Sequence, residues 1–194
     1  MSDEIWEHDD GYGGDDGYGG DDEHAVAERI DTAHADNPRL NAWLDEQREG
    51  FADWGRSHGG GWDFGERSLD RVEALVREHV TSVDDLFAHE HTPLVQVACW
   101  YVGEVHNRTR GTQWRLDPDP ADSHPWSRRP YVIVPFARLD EYRDPEGIDY
   151  DARPQHHPLS SFLTLLREGP TTGPSSLRAE LDDYEPAAGG DDEE

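Results

Sequence analysis

One apolar stretch constrains the fold of this chain more than any other feature. Residues 91–116 read HTPLVQVACWYVGEVHNRTRGTQWRL, and from Leu94 to Val102 only Gln96 is polar. A run of this kind is either a buried strand or a helix that is buried on most of its sides. Apolar residues continue at spacings of three and four to Val105, and Gly111 follows where a helix would end. We therefore predict a long central helix that anchors the core.

The segments on either side of this helix predict an α+β fold, in which N-terminal helices pack with the central helix, a small antiparallel sheet and a closing helix. The elements expected around the central helix are helices at 24–35, 37–54, 68–80 and 83–89, strands at 112–116 and 131–136, and a helix opened by Pro158. Asn37 and Ser68 are the expected N-caps. Because Pro130 and Pro135 bracket the second strand, we expect it at a sheet edge. Residues 143–157 are interpreted as an irregular connection, and 170–181 as a surface segment anchored by leucines.

Charge divides the chain into three parts. Residues 1–23 hold 10 acids and no arginine, 182–194 hold 7 acids and no arginine, and the middle holds 27 acids against all 17 arginines. The first part also repeats GYGGDD, which cannot bury enough apolar surface to order itself. We therefore expect disordered acidic tails at 1–23 and 182–194 around a single α+β domain at 24–181, with its core at about 37–168. The net charge of −27 argues against nucleic acid and anionic membranes as partners.

The single cysteine and the hydropathy pattern bear on the compartment. Cys99 is the only cysteine, so it has no intrachain disulfide partner, and its apolar neighbours favour a small packed residue over a nucleophile. The sequence shows no basic-then-apolar signal peptide, and no apolar run approaches the roughly 18 residues that cross a bilayer. A cytoplasmic protein is the resulting expectation.

The far end of the central segment carries the candidate binding residues. Between positions 108 and 138 six arginines face three aspartates, a net charge of +3 in a very acidic chain. Arginine suits bidentate contact with carboxylates, so this group could receive an acidic segment of a partner or the protein's own tails, and ordinary charge pairing is the alternative. The candidate binding residues are Glu104, Arg108, Arg110, Trp114, Arg115, Arg128 and Arg129.

Glu104 itself has two interpretations. A partly buried carboxylate needs a cation or several N–H donors, so a structural pair with a nearby arginine is favoured over a catalytic role. Gly103 is then expected to be small so that a neighbouring element can pack closely. Trp114 is interpreted as a cover for the core rather than as a platform for a ligand. The sequence therefore predicts no catalytic residue.

The histidines raise the question of a metal site. His89, His91, His106, His156 and His157 could converge in space, with Glu90 beside the first two. The chain has no HExxH motif, no paired cysteines and no EF-hand loop, so no metal-binding spacing stands out. We interpret these histidines as exposed, titrating side chains, and we predict neither a metal nor a cofactor.

Several short motifs stand out along the chain: Ser68-Leu69-Asp70-Arg71-Val72-Glu73, Tyr101-Val102-Gly103-Glu104, Gly111-Thr112-Gln113-Trp114, Pro158-Leu159, and Thr172-Gly173 followed by Leu177. They resemble the motifs of an uncharacterised family of small bacterial proteins, many of them actinobacterial. The chain departs from the family pattern at Val102, where leucine is usual, and at the single Gly111, where the family has a glycine pair. The resemblance covers about residues 40–180 and implies an α+β fold without an established chemistry.

Two classes of function remain open on the sequence. The first is a non-enzymatic protein-interaction module, such as an adaptor, a regulator or an immunity-like protein, whose unknown partner could bind through an acidic segment. The second is a small enzyme or metal-binding protein that uses Glu104 with nearby histidines and arginines.

Overall fold

The structure is a computed structural model that describes residues 20–120, 125–142, 151–169 and 176–184. These residues form an α+β fold. Its helices are α1 (Gly20–Ala35), α2 (Pro38–Ser57), α3 (Ser68–His79), α4 (Val83–His89), α5 (Pro93–Arg110), α6 (Pro158–Glu168) and α7 (Ser176–Ala179). Its strands are β1 (Gln113–Arg115), β2 (Tyr131–Ile133) and β3 (Gln155–His156), and short 3-10 helices occupy Pro125–Arg128, Phe136–Tyr142 and Glu180–Tyr184.

The central helix α5 is the core of the fold, as predicted. Pro93 stands in its first turn and Gly111 ends it in the left-handed conformation, with φ of 69°. Ten of its eighteen residues are buried. Helices on several sides cover it, and α2 makes the most extensive contact. None of the described helices, α5 included, is long and apolar enough to span a bilayer.

Asn37 explains how α2 begins and how it is tied to the sheet. Its side-chain oxygen accepts a hydrogen bond from Leu40 N at 3.0 Å, which is the N-cap contact that the sequence predicts. Its side-chain nitrogen donates to the carbonyl of Leu116 at 3.0 Å, just after β1. One buried asparagine therefore fixes both the start of a helix and the end of a strand.

Ser68 does not cap α3, so that prediction is wrong. The helix starts at Ser68 itself, and no side chain caps it. The Ser68 hydroxyl instead donates to the carbonyl of Gly65 at 2.6 Å and accepts from the Tyr101 hydroxyl at 2.8 Å. Tyr101 also accepts from the amide of Phe64 at 2.8 Å, and the two rings stack at 4.6 Å. The Ser68 hydroxyl therefore helps to hold the loop between α2 and α3 against the central helix.

The sheet corrects two further predictions. Its strand order is β1-β2-β3 and both pairings are antiparallel, with Trp114 opposite Val132 and Val132 opposite His156. The strand at 131–133 is therefore central, not an edge. Pro130 and Pro135 lie just outside it, where their missing N–H groups interrupt no pairing. The irregular connection expected at 143–157 contains β3, which at two residues is too short to show alternation.

The C-terminal segment, residues 176–184, belongs to the core rather than to the surface. Leu177 and Leu181 are almost fully buried, and Tyr184 is also buried. The Tyr142 hydroxyl donates to the Tyr184 carbonyl at 2.9 Å. Of the residues expected in the acidic tails, 20–23 lie in α1 and 182–184 lie in a 3-10 helix. Residues 1–19 and 185–194, where disorder was also predicted, lie outside the described residues.

Candidate functional site

The predicted group of arginines does not form one exposed patch. Five of them pair with acids. Two of these pairs lie within one turn of a helix, Arg108 with Glu104 at 3.5 Å and Arg138 with Glu141 at 2.7 Å. The other three join residues that are distant in sequence: Arg110 with Glu66 at 2.6 Å, Arg115 with Asp31 at 2.7 Å and Arg129 with Glu90 at 2.6 Å. Arg128 is exposed on the 3-10 helix before β2. Arg115 is buried and shares Asp31 with the buried Arg153, whose distance to that carboxylate is 3.1 Å. The arginines thus serve mainly to join elements of the fold.

Glu104 lies within α5 and takes part in packing. Its carboxylate accepts a hydrogen bond from Trp114 Nε1 at 3.0 Å and lies 3.5 Å from Arg108. The indole of Trp114 covers Gly103, and a Cβ added at that glycine would overlap the ring. The prediction that Gly103 permits close packing is confirmed, and Trp114 belongs to the core. Gly103 and Glu104 both lie within α5, seven and six residues before its last residue.

Arg129 lies at the centre of an exposed aromatic surface that the sequence did not single out. Its guanidinium lies 4.6 Å from the ring centre of Trp126 and 5.9 Å from that of Phe87. Two hydrogen bonds to the Glu90 carboxylate, at 2.6 and 2.9 Å, fix its orientation. Phe87 is 43% exposed and Trp126 38% exposed. We call Phe87, Glu90, Trp126 and Arg129 the Arg129 surface.

A small cleft opens beside the Arg129 surface. Its volume is about 30 Å³, which is room for one or two water molecules or a single small side-chain group. Its walls are formed by Trp43, Glu90, Gln96, Cys99, Trp114, Arg129, Pro130, Pro158 and Leu159. Trp43 donates to Gln96 at 2.6 Å and meets Trp114 edge-on at 5.1 Å, so the aromatic walls are held rigidly. Two of the predicted binding residues, Trp114 and Arg129, therefore meet at this cleft.

A second group of polar side chains is buried next to Ser161 of α6. His106 of α5 and His156 of β3 stack with their ring centres 4.1 Å apart and their planes 15° apart. Glu180 lies 3.6 Å from His156 Nδ1, and Ser161 Oγ lies at hydrogen-bond distance, 3.2 Å, from His156 Nε2. Tyr184 meets His106 edge-on at 5.3 Å. The ligand atoms of His106, His156 and Glu180 all lie within 4.8 Å of one another. We call these three residues the His–His–Glu cluster.

Burial sets the protonation of the cluster. It lowers the pKa of His106 to about 3, and nearby Arg110 adds to this effect. It also lowers the pKa of His156 well below its usual value, with further contributions from His106 and His157. Both imidazoles are therefore neutral at pH 7 and keep a lone pair. Burial raises the pKa of Glu180 to about 7, and a hydrogen bond from Ser161 opposes this only in part.

The interpretation of the histidines as exposed groups is wrong for two of them. His106 has no exposed surface and His156 is buried, whereas His89 and His91 are exposed as expected. His106 lies among apolar residues of α5, and its placement one turn after Val102 marks the buried face of the helix. Glu180 carried no such signal, because the acidic 3-10 helix around it resembles a solvated tail.

Comparisons of the chain with protein-family models, with curated proteins and with solved structures found no match. The resemblance to small bacterial proteins therefore stays a prediction. The function has to be argued from the two sites themselves.

Proposed function

We propose that this protein is a non-enzymatic interaction module that binds a protein partner through the Arg129 surface, as an adaptor, regulator or immunity-like protein would. The observation that carries the proposal is the pair of exposed aromatic rings on either side of a fixed arginine. Aromatic and arginine side chains supply most of the free energy at protein interfaces. Here Arg129 is already held in place by Glu90, so binding would cost little side-chain entropy at that residue.

The adjoining cleft supports an interaction module rather than an enzyme. At about 30 Å³ it is far smaller than the roughly 300–1,000 Å³ of a small-molecule site. Glu104, the carboxylate of the alternative hypothesis, is occupied by Trp114 and Arg108. A partner could instead place one small apolar side chain in the cleft, against Trp43 and Trp114, while it covers the exposed rings.

The charge of the Arg129 surface indicates the chemistry of the partner's contact. Arg129 is paired with Glu90 through two hydrogen bonds, so its charge is largely compensated within the protein. The surface therefore offers aromatic area more than a cationic site, and the contact we propose is apolar. Nucleic acid is disfavoured, because a chain with a net charge of −27 repels phosphates.

Photo-crosslinking in the native cell would test the proposal. A photoreactive amino acid replaces Ala88, an exposed alanine next to Phe87 in α4, and the matched control replaces Ala27 of α1. Ala27 is a fair control because it is exposed and its neighbour Val26 is 43% exposed, as is Phe87. We expect one discrete protein adduct from position 88 that the control does not form.

Two substitutions then connect the adduct to the proposed surface. Phe87→Ser and Trp126→Ser should each reduce the yield of the position-88 adduct by tenfold or more, because each removes an aromatic anchor of about 2 kcal/mol or more. Val26→Ser and Ile30→Ser, on the exposed face of α1, should leave the yield unchanged. Equal adducts from positions 88 and 27, or an adduct that persists without both aromatic rings, would contradict the proposal.

A further inference from the structure

The His–His–Glu cluster leaves polar groups unsatisfied inside the protein. His106 has no exposed surface, and neither of its ring nitrogens has a hydrogen-bond partner. Glu180 Oε2 also lacks a partner, as does the Tyr184 hydroxyl beside them. A buried group without a partner costs about 1–3 kcal/mol, and folded proteins rarely keep several together. The unsatisfied nitrogen and oxygen atoms of the cluster are therefore suited to a ligand that accepts their lone pairs.

The chemistry of the donors identifies that ligand as a cation. Two imidazoles and one carboxylate bring their ligand atoms within 4.8 Å of one another, and both ring nitrogens of His106 and Oε2 of Glu180 have no hydrogen-bond partner. Nitrogen and oxygen donors of this type suit divalent transition metals, and zinc accepts both at four-coordinate sites. We propose that His106, His156 and Glu180 bind one divalent transition-metal ion, with Zn²⁺ as the ion that fits these donors best.

The distances agree with a site that closes when the ion enters. The three ligand atoms lie within 4.8 Å of one another. Zinc at about 2.0–2.1 Å from each ligand would bring them to roughly 3.3 Å apart. Rotation of side chains supplies this difference, because the stacked rings of His106 and His156 have to turn out of their parallel planes for both lone pairs to meet one ion. Binding should therefore end the ring stacking.

The surrounding charges favour a cation. The carboxylates of Asp183, Glu73 and Glu168 lie close enough to raise the pKa of Glu180, which shows that the local potential is negative. Arg110 opposes this from the side of His106, where it lowers the pKa of that imidazole. Arg110 is itself paired with Glu66 at 2.6 Å, which reduces its effect on the cluster.

The position of the cluster gives the ion a structural role. Each ligand comes from a different element: His106 from α5, His156 from β3 and Glu180 from the C-terminal segment. A bound ion would join the central helix, the sheet and the end of the domain at one point. Structural zinc sites contribute directly to folding stability in this manner. Binding should therefore stabilise the folded chain and hold the C-terminal segment in place.

A titration of the full, untagged chain would test the site. After treatment with EDTA and its removal, Zn²⁺ is added and binding is followed by calorimetry and by thermal unfolding. We expect one ion per chain at micromolar or lower Zn²⁺ and a rise in Tm of several degrees. Co²⁺ should give the absorption bands of a four-coordinate ion, and Mg²⁺ should bind weakly because it prefers six oxygen ligands. A chain that takes up no Zn²⁺ at tens of micromolar would overturn the proposal.

Variants distinguish this site from binding at surface histidines. Glu180→Gln and His156→Asn each remove one ligand and should weaken Zn²⁺ binding more than a hundredfold, with near-UV circular dichroism as the check on folding. The double substitution His89→Ala with His91→Ala removes two exposed histidines and should leave binding unchanged. If the surface variant loses the ion while the cluster variants keep it, the assignment is wrong. The Co²⁺ spectrum of the unmodified chain tests the site even where a variant fails to fold.

Discussion

At Gly103 the central helix packs directly against the Trp114 side chain of β1. A Cβ there would overlap the Trp114 ring, which is held by its hydrogen bond to Glu104. We expect Gly103→Ala to lower the free energy of unfolding by about 1–3 kcal/mol or more, because the buried indole cannot move aside without losing its contacts. Urea unfolding followed by tryptophan fluorescence would measure the change.

Gly50 of α2 is the matched control for this substitution. A Cβ at Gly50 would lie 3.7 Å from Val97, an ordinary contact distance. Gly50→Ala should therefore raise the free energy of unfolding by about 0.5–1 kcal/mol, since alanine restricts the unfolded chain and favours the helix. Similar losses for both variants would show that the close approach of Trp114 is not what requires glycine at 103.

Cys99 should be unreactive in the folded protein. It is buried at the base of the cleft, and burial together with the nearby Glu90 raises the pKa of its thiol, so almost no thiolate forms at neutral pH. We expect thiol reagents at pH 8 to label it at least a hundredfold more slowly in buffer than in 8 M urea. Rapid labelling of the folded chain would show that the cleft opens and would weaken the description of its walls as rigid.

Among the elements, α1 is joined to the sheet by hydrogen bonds of His34 and by the carboxylate of Asp31. Asp31 contacts both Arg115 at 2.7 Å and Arg153 at 3.1 Å, and both arginines are buried. Asp31→Ala would leave two buried cations without this partner, so the free energy of unfolding should fall by about 3 kcal/mol or more. Chemical denaturation measures this directly.

The exposed pair of Asp45 and Arg48 on α2 gives the comparison. Both side chains are more than half exposed. Asp45→Ala should therefore change the free energy of unfolding by no more than about 0.5 kcal/mol. If Asp31→Ala were equally mild, the buried network would not be what fastens α1 to the sheet.

The elements that sequence reasoning predicted are those with local signals. Asn37 before Pro38, and Gly111 after a long apolar run, mark helix ends through chemistry that neighbouring residues alone decide. Ser68 has the same local signal, yet Tyr101, far away in sequence, takes its hydroxyl. Strand β3 exists only because β2 pairs with it, and two residues cannot show a period. Tertiary contacts thus determine the role of Ser68 and the position of β3, which local sequence signals do not predict.

At the scale of the molecule, the two candidate sites differ in how many of their residues the sequence could indicate. Trp114 and Arg129 could be selected from sequence because Trp114 lies at the end of the central segment and Arg129 belongs to the group of arginines between 108 and 138. The Arg129 surface needs Phe87 as well, and the His–His–Glu cluster needs Glu180, a residue 74 positions after His106 within an acidic stretch. No spacing rule connects such residues. Their convergence depends on how α4, α6 and the C-terminal segment pack around α5.

The charge of the whole chain leads to a prediction about salt. Residues 24–181 hold 27 acids against 17 arginines, so the folded domain holds an excess of like charges close together, and unfolding separates them. Raising NaCl from about 0.01 M to 0.15 M shortens the screening length from roughly 30 Å to 8 Å. The urea midpoint should therefore increase over this range, and urea is the denaturant to use because it is uncharged.

Salt also screens the attraction between opposite charges. The sign of the change in urea midpoint therefore depends on whether repulsive or attractive pairs contribute more to the free energy of unfolding. Exposed pairs such as Arg48 with Asp45 contribute little at any salt concentration. The pairs of Asp31 with Arg115 and Arg153 are buried, where dissolved ions screen them much less. Repulsion among the acids is thus the component that salt removes most effectively. A urea midpoint that falls as NaCl rises would mean that exposed ion pairs, and not the buried network, hold the acidic domain together.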